Sequence, residues 1–245
     1  MHIAHKAQLL ILIILGTVLV SAGQVVSVDK GTTQKLDDPE RIIVSVDAKG
    51  TFKLGDKPMT LPRLSRALSA ALDKRTPPDR VIYLTAQPTV PFSQVIKVLK
   101  LGRTIGQDSF GLMSNDGSAG DAANAVITKI KVETPSPRDT VKPNPLYLAG
   151  AFLRNGGVKL NGESHTLTSL TTQLRNIFKD REDNGVYAEG TNEVEKTVLL
   201  APSPTTTFRV LVQTALTVRD AGAEPVGVEI DPPRPLVVSS IGDKP

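Results

Sequence analysis

The chain has 245 residues, a formal net charge of +4, 4% aromatic residues and neither tryptophan nor cysteine. That length holds one large domain or two small ones. The missing cysteine excludes disulfides, thiol catalysis, Cys-based metal sites and lipid attachment through an N-terminal Cys. The scarce aromatic rings leave few stacking platforms for sugars or bases, and a small positive charge not gathered into any Lys/Arg run argues against nucleic-acid binding.

Residues 1–26 come first. A small basic head (His2, His5, Lys6) precedes an almost wholly aliphatic stretch, 9–20, and no charged residue occurs from Ala7 to Val28. The stretch reads either as a signal peptide, with small residues at Val20-Ser21-Ala22 or Ser21-Ala22-Gly23 for cleavage, or as a membrane anchor that just reaches about 20 residues. Either way the bulk of the chain is exported, because the positive head stays inside. Residues 27–40 are polar and turn-rich, a tether.

From 41 to 133 the pattern predicts a first small α+β domain. Ile42, Val44 and Val46 alternate with Ile43, Ser45 and Asp47, and Phe52 and Leu54 follow a turn at Lys49-Gly50, which predicts a β-hairpin. Thr60 is placed to cap a helix over 61–72 with Leu61, Leu64, Leu68, Ala71 and Leu72 on its apolar face. The short apolar run 81–84 is a buried strand, and Phe92, Val95, Ile96 and Leu99 mark one face of a helix over 92–105. Gly106 suits the left-handed cap that ends it, and 109–113 is the next strand. Strand, helix and strand in that order make a right-handed parallel crossover. The domain therefore reads ββαβαβ, a mixed sheet with both helices on one face. Residues 125–133 alternate and predict a further strand on a lysine-protected edge, and the Pro-rich segment 134–145 is a stiff spacer.

The same pattern then returns over 146–240, predicting a second ββαβαβ domain. Its hairpin comprises 148–153 and 158–160 around Asn155-Gly156-Gly157, its helices 167–178 and 208–221, and its later strands 197–200 and 225–230, with a possible last strand at 236–240. At an offset of 116, Pro88 meets Pro204, Thr89 meets Thr205, Phe92 meets Phe208, Arg103 meets Arg219, Gly106 meets Gly222 and Gly111 meets Gly227. Upstream the offset is 106, where Gly50 meets Gly156, Leu54 meets Leu160, Thr60-Leu61 meets Thr166-Leu167, Leu64 meets Leu170 and Leu68 meets Leu174. The two offsets differ by ten residues, which places an insertion around 184–193. Internal repeats decide architecture, and here they predict one small module used twice, each copy with a small core.

Candidate chemistry is sparse. His165 is the one histidine outside the leader, and alone it makes neither a metal site nor a base–nucleophile pair. No serine sits in a G-x-S-x-G elbow, and there is no P-loop and no G-x-G-x-x-G fingerprint. The 180–183 cluster reads as a solvated helix end, and Asp37-Asp38 lacks the ligand spacing of a calcium loop. No catalytic, cofactor-binding or metal residue is assigned, no cofactor is expected, and the chain is not read as an enzyme.

Three stretches together resemble the ExbD/TolR biopolymer-transport family: Val44-Ser45-Val46-Asp47-Ala48-Lys49-Gly50 leading into Phe52-Lys53-Leu54; Arg80-Val81-Ile82-Tyr83-Leu84-Thr85-Ala86; and Val90-Pro91-Phe92 with its helix, ending in Phe110-Gly111-Leu112-Met113. The close resemblance covers 41–113. It implies a single-pass inner-membrane protein with its bulk in the periplasm, working with an ExbB/TolQ-like polytopic partner and a TonB/TolA-like protein in proton-driven transport. It also implies dimeric periplasmic domains and leaves room for self-association and for contact with peptidoglycan, and it tips the leader toward the anchor. One departure stands out. The family's membrane segment carries a proton-relay Asp, whereas residues 7–28 hold no ionisable side chain, so an accessory role is expected. The alternative is a soluble periplasmic or secreted scaffold left after cleavage of the leader.

Overall fold

The computed structural model describes residues 41–76, 80–113, 127–133, 146–154 and 156–230. The leader, the tether, the Pro-rich spacer and the strand expected at 236–240 lie outside the described residues, as does Asp37-Asp38. Among the described residues no helix is long and apolar enough to cross a membrane.

In the first half, β1 (Ile42–Val46) buries alternate residues, as its sequence alternation requires. The turn into β2 (Phe52–Leu54) closes on Asp47, whose carboxylate accepts from the amides of Lys49 at 2.9 Å and Thr51 at 2.8 Å, while Gly50 takes φ +76°. A side chain at Gly50 would be strained, and the same holds at Gly156, φ +82°, in the matching turn of the second half. A third strand, β3 (Lys57–Met59), pairs antiparallel with β2 before α1 (Leu61–Leu72) begins. Helix α1 buries Leu64, Leu68 and Leu72. Next come β4 (Ile82–Ala86), α2 (Phe92–Thr104) and β5 (Ser109–Met113), with β1, β4 and β5 parallel to one another. Helix α2 lies so close to β5 at Gly102 that a Cβ there would stand 2.3 Å from the Phe110 ring.

Strand β6 (Ile127–Glu133) follows, and then the second half repeats the order: β7 (Leu148–Phe152), β8 (Val158–Leu160), β9 (Glu163–His165), α3 (Leu167–Asp183), β10 (Val198–Ala201), α4 (Phe208–Asp220) and β11 (Val226–Glu229). All eleven strands form one sheet in the order β3-β2-β1-β4-β5-β6-β11-β10-β7-β8-β9. Each half contributes a five-stranded mixed sheet, and the two five-stranded orders are mirror images about β6. Strand β6 is antiparallel to β5 and parallel to β11, so the halves run in opposite directions, as a two-fold axis perpendicular to the sheet demands. The helices pack in a row, α1 on α2, α2 on α4 and α4 on α3, which puts all four on one face.

Several expectations change. Each half is βββαβαβ rather than ββαβαβ: β3 and β9 are three residues long and at the sheet's ends, where neither length nor alternation marks a strand. Strand β6 is interior, not an edge, because β11 takes its other side. Helix α3 runs five residues past Phe178 to Asp183, so the extra length of the second half is shared between a longer helix and the loop after it. The buried apolar side chains form one cluster through both halves, from Ile42 to Ile230, rather than two small cores.

Candidate functional surfaces

The seam between the halves is built from the N-terminal turns of α2 and α4. A helix leaves its first four amides without internal partners. Here two of them on each side are met by the opposite half. Phe92 N donates to Thr206 O at 2.7 Å and Ser93 N to Pro204 O at 3.0 Å; Phe208 N donates to Val90 O at 2.8 Å and Arg209 N to Pro88 O at 3.1 Å. Each bond of the first pair is the image of one in the second at the offset of 116 residues. The rings of Phe92 and Phe208 are both buried. The paired Pro88 and Pro204, visible in the sequence as repeated turn residues, thus supply the carbonyls that cap the other half's helix. The reciprocity itself was not legible, because it joins backbone groups of opposite halves, far apart in the chain.

Away from the seam, Arg181 ties the loop after α3 to the sheet. Its guanidinium donates to the carbonyl of Glu195 at 2.5 Å and to that of Leu146, and burial pulls its pKa down while Glu195 opposes that. The buried Glu195 carboxylate accepts from Thr197 N at 2.8 Å. Glu224 is pushed above the usual carboxylate range, first by burial and then by the Glu193 carboxylate, with Lys196 opposing. Burial alone raises Glu229. At the opposite end, the Thr51 amide holds Asp47 below its ordinary range.

His165 lies on β9 with its side chain 11% exposed and Nε2 4.0 Å from Glu163 Oε2. Among the described residues no group of His, Asp and Glu is arranged to hold a metal ion. The 180–183 cluster is the last turn of α3, where Arg181 has the structural role just described and Asn184 closes the helix. Thr60 stands at the N-cap of α1 without a hydroxyl bond to the helix, whereas Thr166, its counterpart, accepts from Ser169 N at 3.2 Å. What the described surface offers is therefore backbone and shape: two sheet ends and a row of helices. No curated protein matches the chain. Residues 7–117, the apolar leader together with the first half, match the family model of the biopolymer transport protein ExbD/TolR.

Proposed function

We propose that the chain is a membrane-anchored periplasmic component of an ExbD/TolR-like envelope transport or proton-motive energy-transduction complex, and an accessory one that carries no proton relay of its own. The observation that carries this reading is the extent of the family match. It starts at residue 7, just before the aliphatic stretch 9–20, and runs into the first half, so leader and domain are matched together as one unit. The lack of any ionisable group over 7–28 argues for the accessory role, since a proton crossing the bilayer needs a titratable side chain on its path. The second half extends the reading. Its repeated element order, constant offsets and mirrored strand order support descent from tandem duplication of one module, with the two copies acting as a built-in pair. Partners of the ExbB/TolQ and TonB/TolA kinds follow from the same resemblance.

The test is isolation of the tagged full-length protein in mild detergent. An ExbB/TolQ-like polytopic protein is expected to co-purify, and its absence would end the motor-complex reading. Intact mass of the mature chain is expected to retain the leader. Loss of about 22 residues, as a small-residue cleavage site would give, would instead favour a soluble periplasmic or secreted scaffold.

A further inference from the structure

The sheet ends in two strands that occupy equivalent places in the two halves yet differ in what they offer. Which backbone groups face outward follows from the pairing. Gly55 N donates to Ile43 O at 3.1 Å and Asp47 N to Thr51 O at 3.2 Å, so Ser45 and Lys53, in phase between them, are a hydrogen-bonded pair. Lys53 therefore turns its backbone to β1, and Pro58, opposite Lys53 on β3, turns outward. In the second half, Leu153 N donates to Gly157 O at 2.8 Å, which makes Ala151 and Lys159 the bonded pair. Ser164, opposite Lys159 on β9, then turns its N–H and C=O outward. Pro58 and Ser164 correspond at the 106-residue offset.

The consequence is chemical. Proline has no N–H, so β3 presents no donor at the one position where its edge needs one, and Lys57 beside it adds charge; both are ordinary ways to block edge-to-edge pairing. Strand β9 has no proline, and the charge beside its outward residue is an acid, Glu163, in place of Lys57. Ser164 and Glu163 are exposed, and the Ser164 amide and carbonyl are available to a further strand.

We infer that β9 is a self-pairing edge, through which two copies of this chain join antiparallel about a two-fold axis at Ser164. The three side chains of β9 suit that register. With Ser164 opposite its own image, the exposed Glu163 of each copy stands opposite His165 of the other, whose side chain is 11% exposed and already lies 4.0 Å from its own Glu163, so acid and imidazole face across the pair twice. Any other alignment of these three residues loses at least one of those contacts, and in the two-fold arrangement like charges never face each other. The helix layer fits as well. Helix α3 packs over β8 and β9, and strands lie about 4.8 Å apart, so the two copies of α3 come on the order of 10 Å apart, a normal helix-packing distance. The pairing uses an end of the sheet remote from the seam between the halves, and it is independent of the transport reading because mass alone reports it.

The experiment is sedimentation of the full-length chain in detergent over a concentration series, alone and as variants. The wild type is expected to be a dimer at high concentration. Ser164→Pro copies the first half's own residue, so the strand should tolerate it. Losing a pair of backbone hydrogen bonds should raise the concentration at half-dimerisation by an order of magnitude or more. Glu163→Lys, at an exposed side chain that leaves the backbone intact, should weaken the dimer in the same direction and keeps the test open should the proline variant fold poorly. Pro58→Ser should open the second edge and carry assembly beyond the dimer. A wild type that stays monomeric throughout, or a folded S164P and E163K pair that dimerises unchanged, overturns the inference. A P58S chain that stops at the dimer overturns the assignment of Pro58 as the block on β3.

Discussion

The two halves share one backbone plan and differ in how each secures its ends. In the second half, α4 caps itself in part: Thr207 accepts from Val210 N at 3.5 Å, and the loop before it is knitted by Ser203, Thr205 and Thr206, whose hydroxyls lie 3.0–3.1 Å apart. In the first half, Pro91 occupies the N-cap of α2 and offers no side-chain bond, so the first amides of α2 rely on Thr206 and Pro204 across the seam. The hairpin turns show the reverse bias. The first is locked by Asp47, and Ala48 N also donates to Gln87 at 3.2 Å. In the second the residue at the Asp47 position is Leu153. Each half thus has a side-chain lock that the other lacks, while the seam meets the first two amides of both helices alike. The difference teaches that one backbone plan is secured by different side chains in each half, over a single shared cluster of buried apolar residues.

The sharpest way to break this comparison is at the paired phenylalanines. Phe92 and Phe208 are 2% exposed and sit at the first turns that bond across the seam. Phe→Ala at a buried site costs about 3–5 kcal/mol. If the halves share one core, Phe92→Ala and Phe208→Ala should each lower a single cooperative transition in urea or in calorimetry, whichever half carries the change. Two separate transitions, only one of them moved by each variant, would show that the halves fold apart.

A second test sharpens the comparison at one position of the matched helices. Thr214 in α4 is fully buried, and its hydroxyl meets no hydrogen-bond partner. Its counterpart in α2 is Val98, also fully buried. Leaving a buried polar group unsatisfied costs about 1–3 kcal/mol. Thr214→Val copies the solution of the first half at the same volume, and it should raise stability by roughly 1–2 kcal/mol in urea unfolding. A loss of stability would show that the hydroxyl is serving a contact that Val98 does without.

Much of this plan was readable in the residues, and the unread part has a common cause. Helix faces and turns are local: Leu64 and Leu68 in α1, or Gly50 and Gly156 with positive φ, announce themselves by spacing and residue type. The offset repeat pointed to two halves of one kind. Lys57-Pro58-Met59 and Glu163-Ser164-His165 carry no strand signal, because a three-residue end strand gains its order from the neighbour it pairs with rather than from its own alternation. The lysines of β6 suggested an edge, yet its place is decided by β11, nearly a hundred residues further on. The mutual capping at the seam and the anchoring of a loop by Arg181 depend on which carbonyls the fold brings near, and no residue type advertises that.

The smallest expected effect concerns Glu229, the last residue of β11. Burial raises its pKa above the ordinary glutamate range, with no charged partner contributing. A carboxyl with a folded-state pKa above its unfolded value adds stability that is fully present below the unfolded value and is lost as pH climbs through the folded one. At neutral pH the ionised group is therefore a liability to the fold. The side chain keeps substantial contact with solvent, so screening holds the effect below about 1 kcal/mol. Glu229→Gln should be slightly more stable than the wild type at neutral pH, and the gain should vanish as pH falls through the carboxylate range. The matching position at the first half's end is Met113, which has no charge to lose. Met113→Gln should therefore show no such pH-dependent gain in the same urea titrations, and a pH-independent difference at Glu229 would assign its effect to packing instead of ionisation.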